Sequence, residues 1–83
     1  MFINKAKNGK NNICGENIFF LRKNLNISQK KLADMLQLQG LDVDKNAIQR
    51  IEAGKRFVTD IELLSFSKIF NVDINKLLEN ILI

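Results

Sequence analysis

Two stretches decide the fold: Ser28-Gln29-Lys30-Lys31-Leu32-Ala33, and Asp44-Lys45-Asn46-Ala47-Ile48-Gln49-Arg50-Ile51-Glu52-Ala53-Gly54. Each opens on a residue whose short side-chain oxygen caps the first turn of a helix. Each then places apolar residues at helical spacing: Leu32, Ala33 and Leu36 in the first, Ile48 and Ile51 in the second. At 100° per residue, Ile48, Ile51 and Glu52 share one side of the second helix. Asn46, Gln49, Arg50 and Ala53 share the other, with Lys45 at its start. The inner side belongs to a core. The outer side combines two amides, a guanidinium and a methyl group. That is the set of donors, acceptors and apolar contact that suits the edges of base pairs in a major groove.

Outward from this pair, the same grammar repeats. Asn26-Ile27, Gly40-Leu41 and Asn71-Val72 each join a residue tolerant of left-handed backbone to an apolar one, the pattern of a helix stop whose next side chain folds back on the last turn. Gly54 stops the helix that ends Ile51-Glu52-Ala53. Ser28, Asp44 and Asp73 are starts, and Thr59 with Glu62 forms a capping box. Cys14, Ile18, Leu21 and Leu25 form the inner stripe of a first helix, in which Cys14 is a small buried apolar residue. Helices are expected near residues 13–25, 29–39, 45–53, 60–70 and 74–82. No segment alternates polar and apolar residues long enough for a strand, so the fold class is all-α. Residues 1–12, rich in Asn, Lys and Gly, are expected as a flexible basic arm, and residues 13–83 as the folded domain.

Charge follows the same division. The net charge of +4 is concentrated in Lys5, Lys7 and Lys10 of the arm, and in Lys45, Arg50, Lys55 and Arg56, which outweigh Glu52. Residues 57–83 are net acidic. A cationic face set against an acidic third suits one-sided contact with a polyanion. Eighty-three residues, 46% of them apolar, suffice for one small core. The chain has no histidine, tyrosine, tryptophan or proline, and a single cysteine. No imidazole base, Cys/His zinc site or intramolecular disulfide is available, and no cluster of carboxylates shares a face. An enzyme, a metal site, a cofactor and a small-molecule substrate are therefore not expected. One cysteine fits a reducing cytoplasm. The beginning lacks the apolar stretch of a signal peptide, no run is long enough to span a bilayer, and no ligand-sensing domain is expected in the chain.

The spaced pieces Ile18…Leu21-Arg22, Ser28-Gln29…Leu32-Ala33, Ile48…Ile51-Glu52…Gly54-Lys55 and Asn71-Val72…Leu77-Leu78 resemble the XRE family of helix-turn-helix DNA-binding proteins, the Cro/C1 phage-repressor type. The likeness runs from Gly15 to about Glu79. It implies a compact five-helix, lambda-repressor-like domain whose helices 2 and 3 form the helix-turn-helix, and a sequence-specific transcriptional regulator whose partner is double-stranded DNA. By the same resemblance, Ser28 and Gln29 lie where phosphates are met, and Gln29 braces the recognition helix. Lys45, Asn46, Ala47, Gln49 and Arg50 meet bases or phosphates, Lys55 and Arg56 track the backbone, and Arg22 and Glu52 form a partly buried ion pair between helices 1 and 3.

Two features depart from the pattern. Gln37-Leu38-Gln39-Gly40-Leu41-Asp42 lengthens the second helix and the turn after it. Phe19-Phe20 stands where polar residues are usual, with Phe20 expected to face outward. Phe20 is either an isolated exposed apolar residue, which is ordinary, or is covered together with Phe19 by Phe2 and Ile3 of the arm or by a second subunit. Helix 5 carries Ile74, Leu77, Leu78, Ile81 and Leu82, a stripe suited to the core or to a homodimer that presents two recognition helices one DNA turn apart. A rival reading keeps the fold but makes it an antitoxin-like or regulator-binding module for a protein partner, held through Phe19, Phe20 and helix 5.

Overall fold

A computed structural model of the chain describes Lys5, Ala6 and residues 8–79. Five helices follow one another: α1 (Gly15–Asn24), α2 (Gln29–Leu38), α3 (Lys45–Glu52), α4 (Asp60–Phe70) and α5 (Ile74–Leu78). There is no strand among the described residues. Helix α1 packs against α3, α4 and α5, α2 packs against α3 and α4, and α4 packs against α5. Ile18, Leu32, Leu36, Ile48, Ile51 and Phe66 meet at the centre with almost no solvent exposure. Cys14 joins them, and its burial pushes the thiol up to about 11.

All four expected helix stops are present. Asn26, Gly40, Gly54 and Asn71 have φ of 57°, 91°, 77° and 54°. At each, the amide of the following residue closes back onto a carbonyl five residues earlier: Ile27 to Arg22, Leu41 to Leu36, Lys55 to Arg50 and Val72 to Ser67. These six-residue closures satisfy carbonyls that a helix end would otherwise leave open. In three of them the closing residue is apolar and partly buried against the core. After α3 it is Lys55, which is exposed.

Three of the four expected starts cap with a side chain. Ser28 accepts from the Lys31 amide and Asp44 from the Ala47 amide, and Thr59 and Glu62 exchange both bonds of a capping box. Asp73 makes no side-chain cap bond; its carbonyl accepts from the Lys76 amide instead.

Three expectations are corrected. The first helix begins at Gly15 and ends at Asn24, so Leu25 sits past its last turn, and its side chain is 48% exposed rather than part of the inner stripe. Helix α5 ends at Leu78, not near residue 82, because Glu79 is extended at φ −62°, ψ 139°. The side-chain amide of Asn17, itself buried, donates to the carbonyls of Leu77 and Glu79, each at 2.7 Å, and thereby closes that helix. Residues 8–12 are not free of the domain: Asn11 and Asn12 hydrogen-bond to the chain just after α3.

Candidate nucleic-acid interface

Helix α3 divides as its sequence requires. Ile48 and Ile51 are buried, while Lys45, Asn46, Gln49, Arg50 and Ala53 are exposed. Ala47 lies between the two sides, its methyl partly packed against the core. A cap by Asp44 at the start and the left-handed Gly54 at the end keep all eight residues helical. Four polar or charged side chains therefore stand together on one rigid rod.

Three contacts fix this rod from behind. Glu52 accepts from Arg22 Nε at 2.6 Å and Nη2 at 3.1 Å, and from Gln29 Nε2 at 3.0 Å. The two charged side chains are only 7% and 6% exposed. Arg22 Nη1 also donates to the Ile27 carbonyl, which ties the α1–α2 turn into the same network. The expected ion pair is thus present, and Gln29 braces α3 through Glu52. The lengthened turn, residues 39–44, is held where Gln37 Nε2 donates to the Val43 carbonyl and Val43 enters the core. Leu38 at the end of α2 remains 89% exposed.

A shallow cleft of about 490 Å³ lies between the end of α1, the start of α2 and the start of α3, lined by Lys23, Asn26, Ser28, Gln29, Lys30 and Lys45 among others. The N-terminal turn of α2 faces it, where backbone N–H groups and the helix dipole favour an anion. Lys30 is engaged with Asp34 on its own helix, whereas Lys23 and Lys45 have no ion-pair partner among the described residues. Arg50 and Lys55 are likewise unpaired there. The cations around the outer side of α3 thus have no carboxylate partner among the described residues, as is also true of Lys5, Lys31 and Lys68 elsewhere. Lys10, Arg22, Lys30, Arg56 and Lys76 pair with carboxylates.

Lys55 and Arg56 part company in the loop after α3. Arg56 donates to both carboxylate oxygens of Glu62, at 3.0 and 2.9 Å, and to the Phe57 carbonyl. That hydrogen-bonded pair raises the arginine further and, outweighing burial, holds the Glu62 carboxyl below its ordinary range; the Thr59 amide adds to the latter. Arg56 therefore anchors the loop to the capping box of α4, and Lys55 projects from the loop as its unpaired cation.

Three asparagines were missed by the sequence reading as contributors to this arrangement. Asn12 Oδ1 accepts from the Gly15 amide, and its Nδ2 donates to the carbonyls of Ile51 and Arg56. Asn11 donates from its backbone to Gly54 and from its side chain to Lys55. Asn17 closes α5. The spacing of Asn12 to Gly15 is the one available signal, since it is that of a helix cap. The long-range donations have no sequence mark.

Phe20 is 51% exposed and meets Phe19 edge-on, with ring centroids 5.3 Å apart; Lys23 and Arg22 lie over the Phe19 ring. Leu78 is 37% exposed. Ile81, Phe2 and Ile3 lie outside the described residues, as does Lys7. Among the described residues no group of carboxylates and cysteine is arranged to hold a metal, and no helix is long and apolar enough to cross a membrane.

A family model described as helix-turn-helix matches residues 18–77, from the first core residue of α1 to the last of α5. No curated protein and no solved structure matches the chain.

Proposed function

Because the chain belongs to the XRE (Cro/C1-type) family of helix-turn-helix DNA-binding proteins, we propose that it is a sequence-specific transcriptional regulator that reads the major groove with α3. The observation that carries this reading is the outer side of α3: Asn46, Gln49 and Arg50 exposed together on a helix locked from behind by the buried Arg22–Glu52 pair. Asn and Gln pair with adenine edges and Arg with guanine, and each bidentate pair discriminates by about 1–3 kcal/mol. Ser28 and Gln29 at the α2 start, with Lys45 and Lys55, hold phosphates on either side and set the register. Arg56 acts indirectly, by fixing the loop that carries Lys55.

The reading includes a homodimer working in the cytoplasm. Supporting it is the apolar exposure of Phe57, Ile61, Leu64 and Leu78, at 53%, 67%, 47% and 37%, on α4, α5 and the loop just after Lys55 and Arg56. A pair of chains joined through such residues doubles the base contacts of a single α3.

Selection of bound duplexes from a random pool tests both parts. A two-fold-symmetric motif is expected, degraded at one position per half-site by Arg50→Ala. A single half-site retains base reading and removes the dimer. No enrichment at low salt refutes the regulator.

A further inference from the structure

We propose that Asn11 and Asn12 are positioning residues for DNA binding, a clamp that holds the end of α3 and the loop after it so that Lys55 is aimed at a phosphate. The proposal rests on the reading of Lys55 as a phosphate contact.

Four carbonyls in the short stretch from α3 to α4 receive hydrogen bonds from these two residues. The Asn11 amide reaches Gly54 at 2.8 Å and its side chain reaches Lys55 at 3.0 Å. The single Nδ2 of Asn12 reaches Ile51 at 3.1 Å and Arg56 at 2.8 Å. The carbonyls of Ile51, Gly54, Lys55 and Arg56 thus all point toward the N-terminal segment. With its carbonyl held on that side, the Lys55 backbone is fixed, and its side chain, which is exposed, is left to project from the loop.

The clamp itself is immobilised. Asn12 Oδ1 takes the Gly15 amide at 2.9 Å, so one side chain joins the beginning of α1 to the end of α3. Those two helix ends touch so closely that a Cβ on Gly15 would overlap the Ile51 carbonyl oxygen. Ahead of it, the Gly9 amide donates to the Ala6 carbonyl and the Ala6 amide to the Lys10 carbonyl. The Lys10 stem lies against Gly54, where a Cβ would strike it, and its ammonium pairs with Glu16 at 3.0 Å. Local contacts to α1 therefore hold the donors, and the donors hold the loop. An asparagine suits the task because its amide supplies two N–H donors and an acceptor from one rigid plane.

Affinity for the selected duplex, measured as a function of salt, tests the clamp in the full chain. Wild type, Lys55→Ala, Asn12→Ala and the double variant are compared at a temperature where circular dichroism reports all four folded. One lost phosphate contact lowers the slope of log affinity against log salt by about 0.9. Lys55→Ala and Asn12→Ala are each expected to show that loss, and the double variant to lose no more than the weaker single. Asn11→Ala, which removes only the side-chain bond to Lys55, is expected to show it too, and serves if Asn12→Ala does not fold. Retention of the wild-type slope by the asparagine variants while Lys55→Ala loses it overturns the clamp and leaves the phosphate contact standing. Losses that multiply in the double variant also overturn it. An unchanged slope in Lys55→Ala overturns the contact and the clamp together, without touching base reading by Arg50.

Discussion

Removing Glu52 is the sharpest perturbation of this fold. Its carboxylate, 6% exposed, is the only acid among the described residues paired with Arg22, 7% exposed, and it also receives the Gln29 amide. Glu52→Ala leaves a guanidinium buried with its Nη1 bond to Ile27 and no counter-charge. Stranding a buried charge costs about 3–5 kcal/mol. A domain of this length has a total stability of about 4–12 kcal/mol, so the loss is about a quarter of it or more. At about 4–8 °C per kcal/mol for a chain of this size, the midpoint should fall by at least about 12 °C. Urea and thermal unfolding followed at 222 nm measure both quantities. The decisive comparison is Arg22→Met with Glu52→Leu. Removing both charges and filling the space with apolar atoms should recover at least about 2 kcal/mol relative to the sum of the single changes, because the cost lies in the stranded ion and not in the missing attraction. If either single variant costs less than about 1 kcal/mol, or if the two add, the pair is solvated and does not lock α3 to α1.

Gly15→Ala should destabilise by about 1–3 kcal/mol in urea unfolding, although alanine is the better helix former by about 1 kcal/mol, because the new methyl meets the Ile51 carbonyl. A neutral or stabilising change would mean that α1 and α3 separate easily. Glu62 has a folded pKa held below its ordinary 4.5, chiefly by its hydrogen bonds from Arg56. Its contribution is therefore complete above the unfolded value and disappears as pH falls through the folded one. Glu62→Gln should flatten the loss of stability below about pH 4.5, and a stability–pH curve parallel to wild type would refute the assignment. Cys14, buried and with its thiol raised to about 11, should resist a thiol-specific disulfide reagent at pH 8 in the native chain and react once urea unfolds it. Rapid native-state labelling would show that the start of α1 opens readily.

What the sequence displayed well was local. Each helix stop depends on the φ of one residue and each start on one side chain three residues from its amide. Asn26, Gly40, Gly54, Asn71, Ser28, Asp44 and Thr59 were therefore readable without knowing what packs where. The sides of α3 follow from angular spacing alone, and Ile48 and Ile51 fell inward as spaced. Even Arg22 and Glu52, thirty residues apart, were visible only through resemblance to a family. Leu25 shows the limit of periodicity: its spacing continues the stripe, but the helix ends one residue earlier, and beyond that point the rotation per residue no longer applies.

The misread residues have a common physical origin. An asparagine-rich segment with few apolar residues has little hydrophobic surface to bury, and composition therefore assigns it to solvent. Composition registers burial but not the demand for donors. The ends of α3 and α5 present carbonyls that no residue within the helix can satisfy. Asn12 supplies a donor to Ile51 at the first and, with Asn11, donors to the carbonyls of Gly54, Lys55 and Arg56 just beyond it. Asn17 supplies the second. A polar segment is thus drawn onto a domain by unsatisfied backbone at its helix ends rather than by its own hydrophobicity. The same logic separates Arg56 from Lys55. Side by side in a basic loop they look equivalent, but only Arg56 has a planar fork that spans both oxygens of Glu62. The carboxylate that caps α4 takes one of the two cations into the structure and leaves the other exposed beside α3.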